Sequence, residues 1–104
     1  MFAPTASLSC AAVASRAFVY LLRCADGSLY CGWSVDLERR MAAHATGRAS
    51  RYTASRLPVE LAAAWELDSE SAARSLEWHL KQLTRAEKLA LVGGAELPGV
   101  VRFA

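Results

Sequence analysis

Two phenols, a guanidinium, an imidazole and an isolated carboxylate stand in this chain, groups that one reaction could use together. Tyr20 and Tyr30 flank a glycine-bearing turn, Gly32 follows, Arg40 and His44 stand four apart, and Glu77 comes later. A carboxylate holds hard divalent cations through oxygen. A guanidinium presents a planar fork of donors to phosphate, and a positioned phenol can exchange a proton with water. Together these are the parts of a metal-assisted phosphodiesterase. Each residue also has an ordinary reading. Glu77 with Lys81 is an i, i+4 helix pair, Arg40 a solvated helix residue, and His44 a cation at a helix C-terminus. The tyrosines alone fit half-buried strand aromatics. Only their joint occurrence favours chemistry.

The tyrosines cooperate only if the turn between them has the right length. A three-residue loop, Ala25-Asp26-Gly27, with Gly27 left-handed in a G1 bulge, pairs Cys24 with Ser28, Leu22 with Tyr30 and Tyr20 with Gly32. Tyr20 and Tyr30 then share a face, because strand side chains alternate with period two. A two-residue Asp26-Gly27 turn would shift the register and separate them. The longer loop is the expected one, and Gly32 opposite Tyr20 leaves room for a ligand to reach the sheet. Val19, Leu21, Leu29, Cys31 and Trp33 form the opposite, apolar face.

The positioning elements follow from pattern and caps. Strands are expected near Ala17–Cys24 and Ser28–Trp33. Ser34 caps a helix running to about Ala45, with Leu37, Met41 and Ala45 buried and Arg40 with His44 on the adjoining stripe. Residues 47–57 read as a basic loop, and Val59–Leu67 as a third strand. Asp68 or Ser69 opens a long helix with Leu76, Leu80 and Leu83 inward. Thr84-Arg85-Ala86-Glu87 matches a capping box for a last short helix, ended by Gly93-Gly94. The expected fold is α+β, a small three-stranded antiparallel sheet in β-β-α-β-α-α order flanked by helices. Residues 1–16 read as a disordered extension, 17–92 as the folded domain and 93–104 as an irregular tail.

A chain of 104 residues makes one domain. No apolar run approaches the length of a membrane span, so no membrane partner is expected. Three cysteines, an odd number without zinc spacing, argue against a disulfide framework and for a reducing cytoplasm. Net charge is only +2, yet Arg39, Arg40, Arg48, Arg51 and Arg56 fall between Arg39 and Leu57 with no acid among them. Such a stretch suits a polyanion. Trp65, Trp78 and Tyr52 are candidates for base stacking but more readily supply core area.

The order of these elements and polar residues resembles the GIY-YIG nuclease superfamily. Phe18-Val19-Tyr20 and Tyr30-Cys31-Gly32 look like its two name motifs. Asp36 to His44 is similar to its arginine helix, Ser75 to Lys81 to its glutamate helix, and Leu83 to Leu89 to the end of small stand-alone bacterial members. The likeness extends to the nuclease domain of the UvrC repair subunit and spans about residues 17–92. Phe-Val-Tyr departs from Gly-Ile-Tyr, and Trp33 stands where repair nucleases often carry lysine.

The resemblance implies a DNA endonuclease of the repair or processing type, acting on single-stranded or branched DNA, with RNA left open. It implies one divalent metal, Mg2+ or Mn2+, on Glu77 and no small-molecule cofactor. Tyr20, Tyr30, Arg40, His44 and Glu77 become the candidate catalytic residues. Tyr20 is the candidate base or water-orienting group, and the residue that finally takes the proton stays open. Gly32 is structural within the site, and Arg39, Arg48, Arg51 and Arg56 are candidates for binding nucleic acid. The rival reading is a non-catalytic nucleic-acid-binding module on the same fold.

Overall fold

The structure, a computed structural model, describes residues 16–104. The extension expected over 1–16 lies outside the described residues except for Arg16, which pairs with Glu66. Strands β1 (Ala17–Arg23) and β2 (Leu29–Ser34) form the hairpin, followed by α1 (Leu37–Ala45), α2 (Arg51–Ala54) and β3 (Glu60–Leu67). Helices α3 (Glu70–Lys81) and α4 (Arg85–Val92) come next, then β4 (Val101–Arg102). The class is α+β as expected, but the antiparallel sheet has four strands in the order β2-β1-β3-β4.

The hairpin takes the register of the three-residue loop. Tyr20 pairs with Gly32 and Leu22 with Tyr30. The Cys24 amide donates to the Ser28 carbonyl at 2.9 Å, and the Gly27 amide donates to Cys24 at 2.9 Å. Gly27 has φ +85°, a conformation that a Cβ disfavours. Asp26 closes the turn from its side chain, accepting from the Ser28 amide at 3.0 Å.

Because β1 is central, both of its faces are covered. Val19 and Leu21 pack with Cys31, Ala63, Trp65, Ala73 of α3, Leu80 of α3 and Leu91 of α4. On the other face Tyr20 and Leu22 pack with Ala64 and Leu37 of α1, with Phe18, Tyr30, Met41 and Val59 at the margin. Cys24 and Cys31 are buried free thiols.

Several local expectations are corrected. The cap of α1 is Asp36, whose carboxylate accepts from the Arg39 amide at 3.0 Å, whereas Ser34 exchanges hydrogen bonds with the Asp36 backbone. Ala45 is exposed and His44 takes the inward place, so the buried stripe follows i, i+4, i+7 through Leu37, Met41 and His44. The basic loop contains α2, a single turn capped by Ser50. Ser69 caps α3, and the Thr84–Glu87 capping box is present at α4.

The tail expected to be irregular supplies β4, which pairs Trp65 with Arg102 and Glu66 with Val101. Beyond it, the Phe103 amide donates to the Ala64 carbonyl at 2.8 Å, and its ring meets Phe18 edge-on. The tail thus covers the otherwise open edge of β3, a common protection against strand addition. Its two ladder residues are too few to carry a period-two signal.

Candidate functional site

Of the expected catalytic residues, Tyr20, Tyr30, Arg40 and Glu77 line a cleft of about 380 Å³, while His44 lies buried behind Tyr20. Tyr20 comes from β1, Tyr30, Gly32 and Trp33 from β2, Arg40 from α1, and Glu70 with Glu77 from α3. Helix α3 lies on the Cys31 face of the sheet, where Cys31 Sγ is 4.0 Å from the Glu77 carbonyl oxygen. Helix α1 covers the tyrosine face. Since β2 is an edge strand, the carboxylates and the phenols approach from opposite faces and meet past that edge. This explains how an apolar-face helix can serve the tyrosine side.

Tyr20 is 1% exposed, and its hydroxyl lies 2.8 Å from His44 Nε2. His44, also 1% exposed, holds Thr53 Oγ1 with its Nδ1 at 2.9 Å. His44 is therefore not an exposed C-terminal cation but the middle of a buried chain. Burial raises the Tyr20 phenol well above its ordinary value, nearby Tyr30 adds to this, and Arg40 opposes it. Burial lowers the His44 imidazole, with the Arg40 charge adding to the effect. At neutral pH both groups are uncharged, a protonated phenol beside an imidazole. The Cys31 thiol is pushed up to about 12 by burial first and Glu77 second, so it stays an inert core group.

The space left by Gly32 is not free for a ligand. A Cβ built there would meet Tyr20 Oη at 2.5 Å and Cζ at 2.7 Å. The missing side chain makes room for the phenol itself, which lies over the strand and reaches His44.

Tyr30 faces His44 edge-on at 5.4 Å between centroids and stacks on Tyr52 at 5.8 Å. Arg56 lies over the Tyr52 ring, 3.8 Å from its centroid. Its Nε donates to Asp26 Oδ2 at 3.0 Å and its Nη1 to the Tyr52 carbonyl at 3.0 Å. Arg56 is thus occupied in tying α2 to the hairpin turn. Arg39, Arg48 and Arg51 are exposed and have no carboxylate partner among the described residues. Of the aromatics weighed for stacking, Trp65 is core, Tyr52 backs Tyr30, and Trp78 is 59% exposed on α3.

Glu77 is paired with Lys81 at 3.6 Å, the expected i, i+4 contact, while its side chain lines the cleft. No three His, Cys, Asp or Glu side chains converge among the described residues. A magnesium-type cation does not need such a cage, since one or two carboxylates, waters and a substrate phosphate suffice. Glu77 and, two helical turns before it, Glu70 are the carboxylates that line the cleft.

Glu70, Arg74 and Thr53 were missed from sequence. Glu70 and Glu77 are seven apart on one helix face, a spacing that could have flagged the first from the second. Arg74 lies between them with its guanidinium carbon 5.6 Å from the Trp33 ring centroid. It sets a cation beside Trp33. Thr53 carried no signal, because its role depends on a one-turn helix hidden in a basic loop.

A family model described as the GIY-YIG catalytic domain matches residues 16–90. The UPF0213 protein YsiG of Lactococcus lactis subsp. lactis is 46% identical over 76 residues, covering 72% of this chain and 73% of that protein. The UPF0213 protein of Natronomonas pharaonis is 45% identical over 80 residues, covering 77% and 94%. Among solved structures, the solution NMR structure of the UPF0213 protein BH0048 from Bacillus halodurans matches with TM-score 0.51. Its identity is 38%, over 80% of this chain and 88% of that one.

Proposed function

This chain belongs to the GIY-YIG family, and from that premise we propose that it is a metal-dependent endonuclease hydrolysing phosphodiester bonds in DNA. The observation that carries the reading is the cleft in which Tyr20, Tyr30, Arg40 and Glu77 meet. Single-stranded or branched DNA is the proposed substrate, in repair or processing.

Glu77 would hold one Mg2+ or Mn2+, with Glu70 lining the same cleft two helical turns earlier on α3. When bound, that cation would polarise the phosphate and stabilise the leaving oxygen. Arg40 neutralises charge on the non-bridging oxygens. Tyr20 takes a proton from the attacking water while its own proton passes to His44 Nε2, which is ready to accept because burial keeps the imidazole neutral. Tyr30 orients water or phosphate from beside them. Arg39, Arg48 and Arg51 hold the flanking backbone. Buried free thiols at Cys24 and Cys31 suit a cytoplasmic protein.

The rival reading, binding without cleavage, draws support from the Lys81 ammonium beside the Glu77 carboxylate. A cleavage assay separates the two. Nicking of branched or single-stranded DNA that requires Mg2+ or Mn2+ and is lost in Glu77→Ala and Arg40→Ala supports the nuclease. Metal-independent binding with no product on any substrate supports the module.

A further inference from the structure

The imidazole of His44 lies between two hydroxyls, each of which can donate or accept. Tyr20 Oη is 2.8 Å from Nε2 and Thr53 Oγ1 is 2.9 Å from Nδ1. Two complete arrangements satisfy these contacts. In one, Tyr20 donates to Nε2 and Nδ1–H donates to Thr53. In the other, Thr53 donates to Nδ1 and Nε2–H donates to Tyr20. Only the first leaves a lone pair facing the phenol.

Two features select the first. A phenol is a better donor and a poorer acceptor than an alcohol, and an imidazole nitrogen is a strong acceptor, so the best donor meets the best acceptor. The far end of the chain agrees. Thr53 Oγ1 lies 3.0 Å from Ser50 Oγ and 3.4 Å from the Ser50 carbonyl oxygen, which can only accept. Ser50 Oγ already accepts from the Thr53 amide as the cap of α2. The threonine proton therefore has a destination away from the imidazole. Thr53 itself is fully buried, so water does not replace it.

We infer that Thr53 is a positioning residue that fixes His44 in its Nδ1-protonated tautomer and so aims the Nε2 lone pair at the Tyr20 hydroxyl. The inference rests on the nuclease reading for its purpose, not for its geometry. It gives α2 two tasks: Arg51 faces outward on its surface, and Thr53 faces inward to the imidazole. The segment 47–57 is then part of the proton-accepting apparatus as well as a basic surface.

The test is the 15N spectrum of the histidines in the full-length protein. There are only two, His44 and His79, so a His79→Gln variant assigns both. Wild type should show His44 protonated on Nδ1, Thr53→Ser should keep that pattern, and Thr53→Val should lose it for a mixture of tautomers. In cleavage, Thr53→Val should lower kcat with KM unchanged, by part of the roughly 10²- to 10⁴-fold that a positioned base contributes. Thr53→Ser should restore it. An Nε2-protonated His44 in wild type overturns the inference, and so does a Thr53→Val spectrum like that of wild type. The wild-type spectrum decides alone if Thr53→Val does not fold. Because the spectra need no substrate, a protein that cleaves nothing sinks the nuclease reading while they still decide the role of Thr53.

Discussion

The Tyr20 hydroxyl is hydrogen-bonded to His44 Nε2 at 2.8 Å, with both side chains withdrawn from solvent. A buried acceptor that loses its donor bears a desolvation cost that an exposed one escapes. Tyr20→Phe should therefore fold but unfold about 1–3 kcal/mol more easily, read by urea denaturation. Cleavage should fall roughly 10²- to 10⁴-fold if the phenol handles the proton. A fully active, equally stable Tyr20→Phe would remove this residue from both accounts.

The same burial makes acid the vulnerable side for stability. His44 is lowered by burial and by Arg40, and it is faced by Tyr20, Tyr30 and Thr53, with no carboxylate among these groups. The unfolded chain takes up the proton near pH 6.5 while the folded chain resists it. The stabilising contribution of neutral His44 is thus complete above that pH and drains away as pH falls toward the lowered folded value. The loss is at most about 1.4 kcal/mol per pH unit. Thermal midpoints between pH 7.5 and 5 should fall more steeply in wild type than in His44→Gln. Parallel curves would show that His44 does not titrate on unfolding.

Gly32→Ala tests whether the glycine exists for the tyrosine. The new methyl would sit 2.5 Å from Tyr20 Oη, so the ring must move and the bond to His44 is disturbed. Overpacking of this kind typically costs about 1–3 kcal/mol. In a Tyr20→Leu background the clash partner is gone, so Gly32→Ala should cost much less there. Additive losses in that double-mutant cycle would assign Gly32 some other role.

What sequence reveals here is what local chemistry dictates. Gly27 and the loop length set the hairpin register, which in turn set Tyr20 beside Tyr30. The Thr84 capping box was legible, and Ser69 was one of two candidates with Asp68, because capping is a short-range signal. The burial of His44 was not legible, because its neighbour Ala45 fits an apolar stripe equally well and only the tertiary partners Tyr20 and Thr53 decide. The same holds for β4, whose two residues are strand only because the edge of β3 needs covering. Convergence at the cleft was readable. Reaching it around the β2 edge was not.

If Glu77 holds the cation, Lys81 competes with it, at 3.6 Å and about half exposed. Exposed pairs of this kind contribute roughly 0–1 kcal/mol. Lys81→Met should therefore strengthen Mn2+ binding by at most about fivefold, measured by calorimetry without DNA. Weaker Mn2+ binding in Lys81→Met would place the cation somewhere other than Glu77.

The basic segment should divide into residues that bind and one that braces. Arg48 and Arg51 point to solvent, whereas Arg56 is held by Asp26, the Tyr52 carbonyl and the Tyr52 ring. The segment is further tied to the turn by the Ala25 amide, which donates to the Arg56 carbonyl at 2.9 Å. If the exposed pair contact phosphate, each alanine substitution should reduce the slope of log affinity against log salt by about 0.7–0.9. Arg56→Ala should leave that slope alone and instead lower thermal stability, with Asp26→Ala doing the same and the double variant adding little. The brace also supports Tyr52 beneath Tyr30, so Arg56→Ala should cost activity through a loosened Tyr30 rather than through weakened binding. A slope that falls in Arg56→Ala as far as in Arg51→Ala would mean the guanidinium leaves Asp26 when DNA arrives.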